Sequence, residues 1–190
     1  MTRIIYIHGF NSSPLSHKAQ SLTQRMTELG IADDLLVPQL SAYPEQAMEQ
    51  LQACVTSCGS SRPVLIGSSL GGYYAIWLAE RYGLKSILIN PAIYPYKLLV
   101  EYLGVNQNIY TDTRYILEPH HVELMKSYEV EQISQPEYYW LLLETGDETL
   151  DYHEAENKFP DSRKTIHQGG SHEFLNFDNM LDDILRYCGY

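Results

Sequence analysis

The chain is poor in several features that mark specialised protein classes. Its 190 residues contain only three cysteines, Cys54, Cys58 and Cys188. So sparse and odd a set argues against a disulfide framework. Cys54 and Cys58 lie four apart on an expected helix with no further ligands at a metal-site spacing, so they read as buried or partly buried thiols and no metal is expected. Basic residues are few, 13 Lys and Arg against 24 Asp and Glu, for a formal net charge of −11. That disfavours nucleic acid as a partner, because binding it requires basic surface to neutralise phosphates. It also disfavours adsorption to anionic lipid, although a local pocket can still accept a small anion. No run of eighteen apolar residues occurs, so no membrane span is expected. Neither G-x-G-x-x-G nor a GK[ST] phosphate loop is present, which argues against a nucleotide-binding enzyme. Repeats and low-complexity segments are absent. The first residues enter a strand at once, which leaves no room for a signal peptide and gives the expectation of a cytoplasmic protein.

What remains is an ordinary globular composition, 44% hydrophobic and 19% charged, expected to form one domain over residues 1–190. Short apolar runs alternate with amphipathic stretches. Residues 3–7, 35–37, 63–66, 86–89, 139–143 and 164–167 read as strands, and 16–29, 44–58, 70–82 and 179–187 as helices, with Pro44-Glu45 and Gly83 as start and stop signals. Continuously apolar strands separated by helices imply a mostly parallel sheet covered on both faces. The expected fold class is therefore α/β, three layers, with about six strands. Residues 91–136 break the alternation and carry Tyr94, Tyr96, Tyr102, Tyr110, Tyr115 and Tyr128. They are expected to form a small helical, cap-like excursion over the active edge.

In such a sheet ligands bind beyond the carboxyl ends of the strands. His8-Gly9, Ser69, Gly146-Asp147 and Gly169-Gly170-Ser171-His172 all follow strands, so they should meet on one edge. Gly67-Ser68-Ser69-Leu70-Gly71 fits G-x-S-x-G, with a strand before it and a helix after it. That is the context of a serine on a strained strand-to-helix turn. Side chains two before and two after the serine would collide with each other or with the strand, which explains both glycines. The helix N-terminus behind Ser69 offers free N–H groups and a partial positive charge to a developing oxyanion.

A neutral serine needs a base, and histidine suits the task near neutral pH. Of seven histidines, His172 lies in a glycine-rich turn after the last strand and is the candidate base. His8 is expected to support its loop, and His120-His121 to be solvent-exposed, because adjacent histidines on a helix point to different faces. The base needs a carboxylate to orient it. Asp147 is the first candidate, as it follows Gly146 at a strand end with Leu150 three places on; Asp151 and Glu148 are the others. Two backbone N–H donors are needed for the oxyanion. Leu70, next to the serine, is one. Phe10 in the loop after the first strand is the other, with Asn11 second.

Five motifs in order, Tyr6-Ile7-His8-Gly9-Phe10-Asn11-Ser12-Ser13-Pro14, Ile66-Gly67-Ser68-Ser69-Leu70-Gly71-Gly72-Tyr73-Tyr74, Leu88-Ile89-Asn90-Pro91-Ala92, Thr145-Gly146-Asp147-Glu148 with Leu150-Asp151-Tyr152, and Gly170-Ser171-His172-Glu173-Phe174, make the chain resemble the α/β-hydrolases, and more narrowly the small bacterial YqiA-type esterases. The resemblance runs nearly end to end. It implies a three-layer α/β-hydrolase fold and an intracellular carboxylic-ester hydrolase with Ser69, Asp147 and His172 as a triad. The first expectation is thus a serine hydrolase acting on acyl esters or thioesters of small acyl groups, with no cofactor needed. Amide or carbon–carbon bond cleavage and a non-catalytic binding protein on the same scaffold are the competing expectations.

Overall fold

The computed structural model describes residues 3–190. Its strands are β1 (Ile4–Ile7), β2 (Leu35–Leu36), β3 (Val64–Ser68), β4 (Ser86–Ile89), β5 (Gly104–Asn108), β6 (Thr113–Leu117), β7 (Tyr139–Glu144) and β8 (Arg163–His167). The helices are α1 (His17–Glu28), α2 (Pro44–Ser57), α3 (Leu70–Tyr82), α4 (Pro95–Leu99), α5 (Pro119–Lys126), α6 (Tyr152–Lys158) and α7 (Phe177–Cys188). Six strands form one sheet in the order β2-β1-β3-β4-β7-β8. Every neighbouring pair is parallel, with Ile4 opposite Val64, Ser68 opposite Ile89 and Leu142 opposite Thr165.

Successive side chains of a strand point to opposite faces, and this divides the apolar residues into two cores. Ile5, Ile7, Leu65, Leu88, Leu141 and Leu143 pack with buried residues of α2, α3, α5 and α6. Ile4, Tyr6, Ile66, Ile87, Ile89, Trp140 and Leu142 pack with α1 and α7 on the other face. Both sets are needed because both faces are covered, which is why the strands carry unbroken apolar runs. Each large side chain so buried contributes about 1.5–3 kcal/mol. The three layers are helices, sheet, helices, and no helix among the described residues is long and apolar enough to cross a membrane.

Two local features differ from expectation. The excursion after β4 is mixed rather than wholly helical. Between α4 and α5 it contains an antiparallel hairpin of β5 and β6, with Val105 opposite Ile116. Tyr115 and Leu117 point inward and join the core, while Val105 and Ile116 stay exposed. Two hydrogen bonds fix the hairpin to the loop after β1, from Tyr115 Oη to Asn11 Oδ1 at 2.6 Å and from Asn108 Nδ2 to the Ser12 carbonyl at 2.9 Å. The second unexpected element is α6, seven residues with only Ala155 buried, capped by Asp151 accepting from the His153 N–H.

Candidate active site

Ser69 sits between β3 and α3 at φ 55°, ψ −120°, a conformation that strains a residue with a Cβ. The surrounding backbone enforces it. Ser69 N–H donates to the Ile89 carbonyl at 3.0 Å, and its own carbonyl accepts from Gly72 and Ala92 at 2.9 and 3.0 Å. A Cβ on Gly67 would sit on the Gly71 carbonyl, and one on Gly71 would sit on the Ile7 carbonyl of β1, 2.7 Å from the oxygen of His8. The turn thus closes backbone against backbone. Gly71→Ala is expected to destabilise the protein by about 3 kcal/mol, the upper end of the usual cost of overpacking, since two rigid carbonyls must move, lowering Tm by about 6–12 °C. An unchanged melting curve would contradict this packing.

The loops beyond β7 and β8 bring the other expected residues to the serine. His172 Nε2 lies 2.9 Å from Ser69 Oγ. Its Nδ1 lies 2.8 and 3.0 Å from the two carboxylate oxygens of Asp147. Asp147 is closed off behind the imidazole, its side chain 2% exposed against 19% for His172. Asp147 Oδ1 also accepts the N–H groups of Thr149 and Leu150, each at 2.8 Å. The other two acidic candidates are otherwise engaged. Glu148 accepts the backbone N–H of His172 at 3.0 Å, and Asp151 caps α6 and pairs with His153.

Leu70 opens α3, so its N–H has no intrahelical acceptor. Phe10 and Leu70 line the same cleft as Ser69 and His172, a hollow of about 520 Å³. Its remaining wall is largely apolar, from Ala92, Pro95, Leu98, Leu99 and Tyr102, with Glu101, Glu148 and Thr149 as polar members. Tyr102 meets Phe10 edge to face at 5.2 Å, so the segment after β4 braces the loop after β1 and builds one side of the cleft.

The family described as "Uncharacterised protein family (UPF0227)" matches residues 3–189. This chain belongs to UPF0227. Two curated UPF0227 proteins, Shewana3_2292 of Shewanella sp. strain ANA-3 and one of Shewanella woodyi, are 32% and 34% identical to it over 99 and 97 residues. Each match takes in 48% of this chain, and the chain spans about half the length (52%) of these curated relatives. Among solved structures the UPF0227 chain is similar to Est1E from Butyrivibrio proteoclasticus with ferulic acid bound, at a TM-score of 0.70 and 14% identity, over 100% of this chain and 90% of that one. It is also similar to mouse alpha/beta hydrolase domain-containing protein 10, at a TM-score of 0.66 and 17% identity, over 96% and 89% of the two chains. The fold is the α/β-hydrolase fold.

Further histidines of the UPF0227 chain have separate roles. His8 is buried; its Nε2 accepts the Leu40 N–H at 3.1 Å and its Nδ1 donates to the Gly9 carbonyl at 3.0 Å. Burial lowers its pKa, and these two bonds make it a support of the loop after β1, as expected. His120 is exposed as expected and His121 half-buried, but the two rings do not diverge. Their ring centroids lie 3.8 Å apart, because His121 Nδ1 reaches back to accept the Glu118 N–H in a capping box at the start of α5. They line a separate hollow of about 610 Å³, with Tyr43 and Arg114, that contains none of the expected site residues. Cys58 and Cys188 are buried and Cys54 half-buried, all as free thiols, and burial pushes the Cys188 thiol up to about 12.

Sequence reasoning missed what holds the histidine loop. Glu144, the last residue of β7, is wholly buried. It accepts from the N–H groups of Ser171, Leu175 and Asn176 and from Asn176 Nδ2, at 2.7 to 3.0 Å. Asn90 Nδ2 donates to the carbonyls of Ser171 and His172 at 3.0 and 3.3 Å. Lys18, buried on α1, donates to the Glu173 carbonyl at 2.7 Å. The available signals were a carboxylate closing an otherwise apolar strand and an Asn at the end of the next strand over.

Proposed function

We propose that this chain is a serine hydrolase cleaving carboxylic esters or thioesters of small acyl groups through an acyl-enzyme. One observation carries the reading: the hydrogen-bonded series Ser69 Oγ, His172, Asp147, with bonds of 2.9 and 2.8 Å. His172 Nε2 takes the Ser69 proton as Oγ attacks the substrate carbonyl carbon. Asp147 holds Nδ1–H and stabilises the imidazolium that forms. The N–H groups of Phe10 and Leu70 receive the oxyanion, each such donor being worth about 3–4 kcal/mol. The alcohol or thiol departs with the proton from His172. Water, deprotonated by the same nitrogen, then attacks the acyl-enzyme, the acid is released and Ser69 regains its proton. No step calls for a cofactor. The apolar cleft wall suits an acyl chain, and the similarity of fold to Est1E, solved with ferulic acid bound, is compatible with an acyl substrate. The reading takes residues 1–190 as a single cytoplasmic domain with no nucleic-acid or membrane partner.

The test is intact mass after incubation with a fluorophosphonate, followed by peptide mapping. One adduct on Ser69 is expected in the wild type, and a panel of esters of increasing acyl length then defines the substrate. A folded wild type that takes up no label would instead favour a ligand-binding protein on this scaffold.

A further inference from the structure

Glu144 forms no hydrogen bond with Ser69 or the imidazole, yet its buried carboxylate accepts four hydrogen bonds beside the site. Its burial raises its pKa, but the bonds from Ser171, Asn176 and Leu175 together outweigh that and leave it below the ordinary glutamate range. Oε2 accepts the N–H groups of Ser171 and Leu175, and Oε1 accepts the N–H and side-chain amide of Asn176. These residues lie on both sides of His172 in the chain. From the opposite side, Asn90 binds the Ser171 and His172 carbonyls, and its Oδ1 accepts the N–H of Glu144 itself at 3.0 Å. Gly170 fits because a Cβ there would overlap the Glu144 carboxylate. The end of β7 therefore governs both partners of one hydrogen bond. Asp147 lies three residues beyond Glu144, and its N–H donates to the Glu144 carbonyl at 3.2 Å.

We propose that Glu144 is a positioning residue: its buried carboxylate gathers the N–H groups flanking His172 and so holds the imidazole between Asp147 and Ser69. The proposal rests on the reading of His172 as the base. Four donors converge on two oxygens, so the charge and both oxygens matter. In Glu144→Gln one oxygen becomes an NH₂ group, and whichever way the amide turns, that group faces N–H donors. Glu144→Asp keeps the charge but shortens the reach by one methylene.

Both variants are assayed well below their melting temperatures, so that the protein measured is folded. The expected result is a loss of about a hundredfold in kcat per folded molecule, the cost of misplacing a catalytic group by about an ångström, with KM little changed. Fluorophosphonate labelling of Ser69 slows by a similar factor. In ¹H–¹⁵N spectra of the imidazole, the His172 Nδ1 proton loses the downfield position of a carboxylate-bonded proton. A folded variant with wild-type kcat, labelling rate and imidazole signal overturns the proposal, however far its Tm has fallen, because the carboxylate then supports only the fold. Failure of both variants to fold overturns it too. If the wild type takes no label while the His172 signal responds to Glu144→Gln, the serine-hydrolase reading fails and the positioning role stands.

Discussion

Ser69→Ala is expected to lower kcat toward p-nitrophenyl esters by about four to six orders of magnitude, the loss typical of removing a serine nucleophile that acts with its histidine as one unit. The fold should survive. Alanine has the same Cβ as serine, so the strained turn at φ 55° is neither relieved nor worsened. Its defining bonds, to Ile89, Gly72 and Ala92, come from the backbone. The hydroxyl contributes one hydrogen bond, to His172 Nε2, worth about 1 kcal/mol. That corresponds to a Tm change of about 2–4 °C in a chain of this size. Thermal melts and initial rates on the same preparation check both halves. Turnover above a tenth of wild type would remove Ser69 from the role of nucleophile. A collapse of Tm would show that the hydroxyl, not the backbone, holds the turn.

The rigidity behind this expectation is concentrated around the proposed site. Among the described residues five non-glycines have positive φ, and four of them, Asn11, Ser69, Asn90 and Phe174, lie in the loop after β1, in the elbow, at the end of β4 and beside His172. Each such residue costs of order 1–3 kcal/mol and persists only where its surroundings fix it. Here they do: Asn11 is held by Tyr115 Oη, and Asn90 is bonded to Ser171, His172 and Glu144.

The sheet was legible because burial on both faces leaves one signature, a short apolar run, and β1, β3, β4 and β7 all carry it. The elbow was legible because its glycines are demanded by contacts local in sequence. Asp147 and His172 were legible as positions after strands, and a parallel sheet brings all such positions to one edge. The hairpin was not legible. β5 reads Gly-Val-Asn-Gln-Asn, with a single β-branched apolar residue, and its partner becomes a strand through a core and loop contact made far away in sequence. Glu144 and Asn90 were invisible as loop holders for a related reason. A carboxylate that accepts backbone N–H groups 27 to 32 residues away leaves no periodicity and no spacing. His120 is exposed as read, but the two rings lie together rather than apart, because helical geometry places the Cβ atoms, whereas a capping bond turned one ring back.

Asp147→Asn separates the role of charge from that of geometry, and its outcome follows from bonds already fixed. Asp147 Oδ1 accepts the N–H groups of Thr149 and Leu150. In the asparagine variant the amide oxygen must keep that place, because an NH₂ group there would face two donors. The NH₂ group is therefore directed to the Oδ2 position, 2.8 Å from His172 Nδ1. The amide oxygen, 3.0 Å from Nδ1, is already shared by two N–H groups, so Nδ1 is expected to accept from the nearer NH₂ group, the imidazole proton to move to Nε2, and Nε2 to donate to Ser69 Oγ instead of receiving its proton. The shape of the site is preserved and the base is disabled. The expected loss in kcat is about 10⁴-fold, the scale seen when this tautomer is imposed on a serine triad. Fluorophosphonate labelling should slow in parallel, with Tm changed by little, since asparagine matches aspartate in size. Two measurements decide the matter. Imidazole ¹⁵N spectra should show the proton on Nδ1 in the wild type and on Nε2 in the variant. If the tautomer switches and turnover persists near the wild-type level, His172 is not the base. If turnover falls without a switch, it is the negative charge of Asp147, not its control of the tautomer, that the reaction needs.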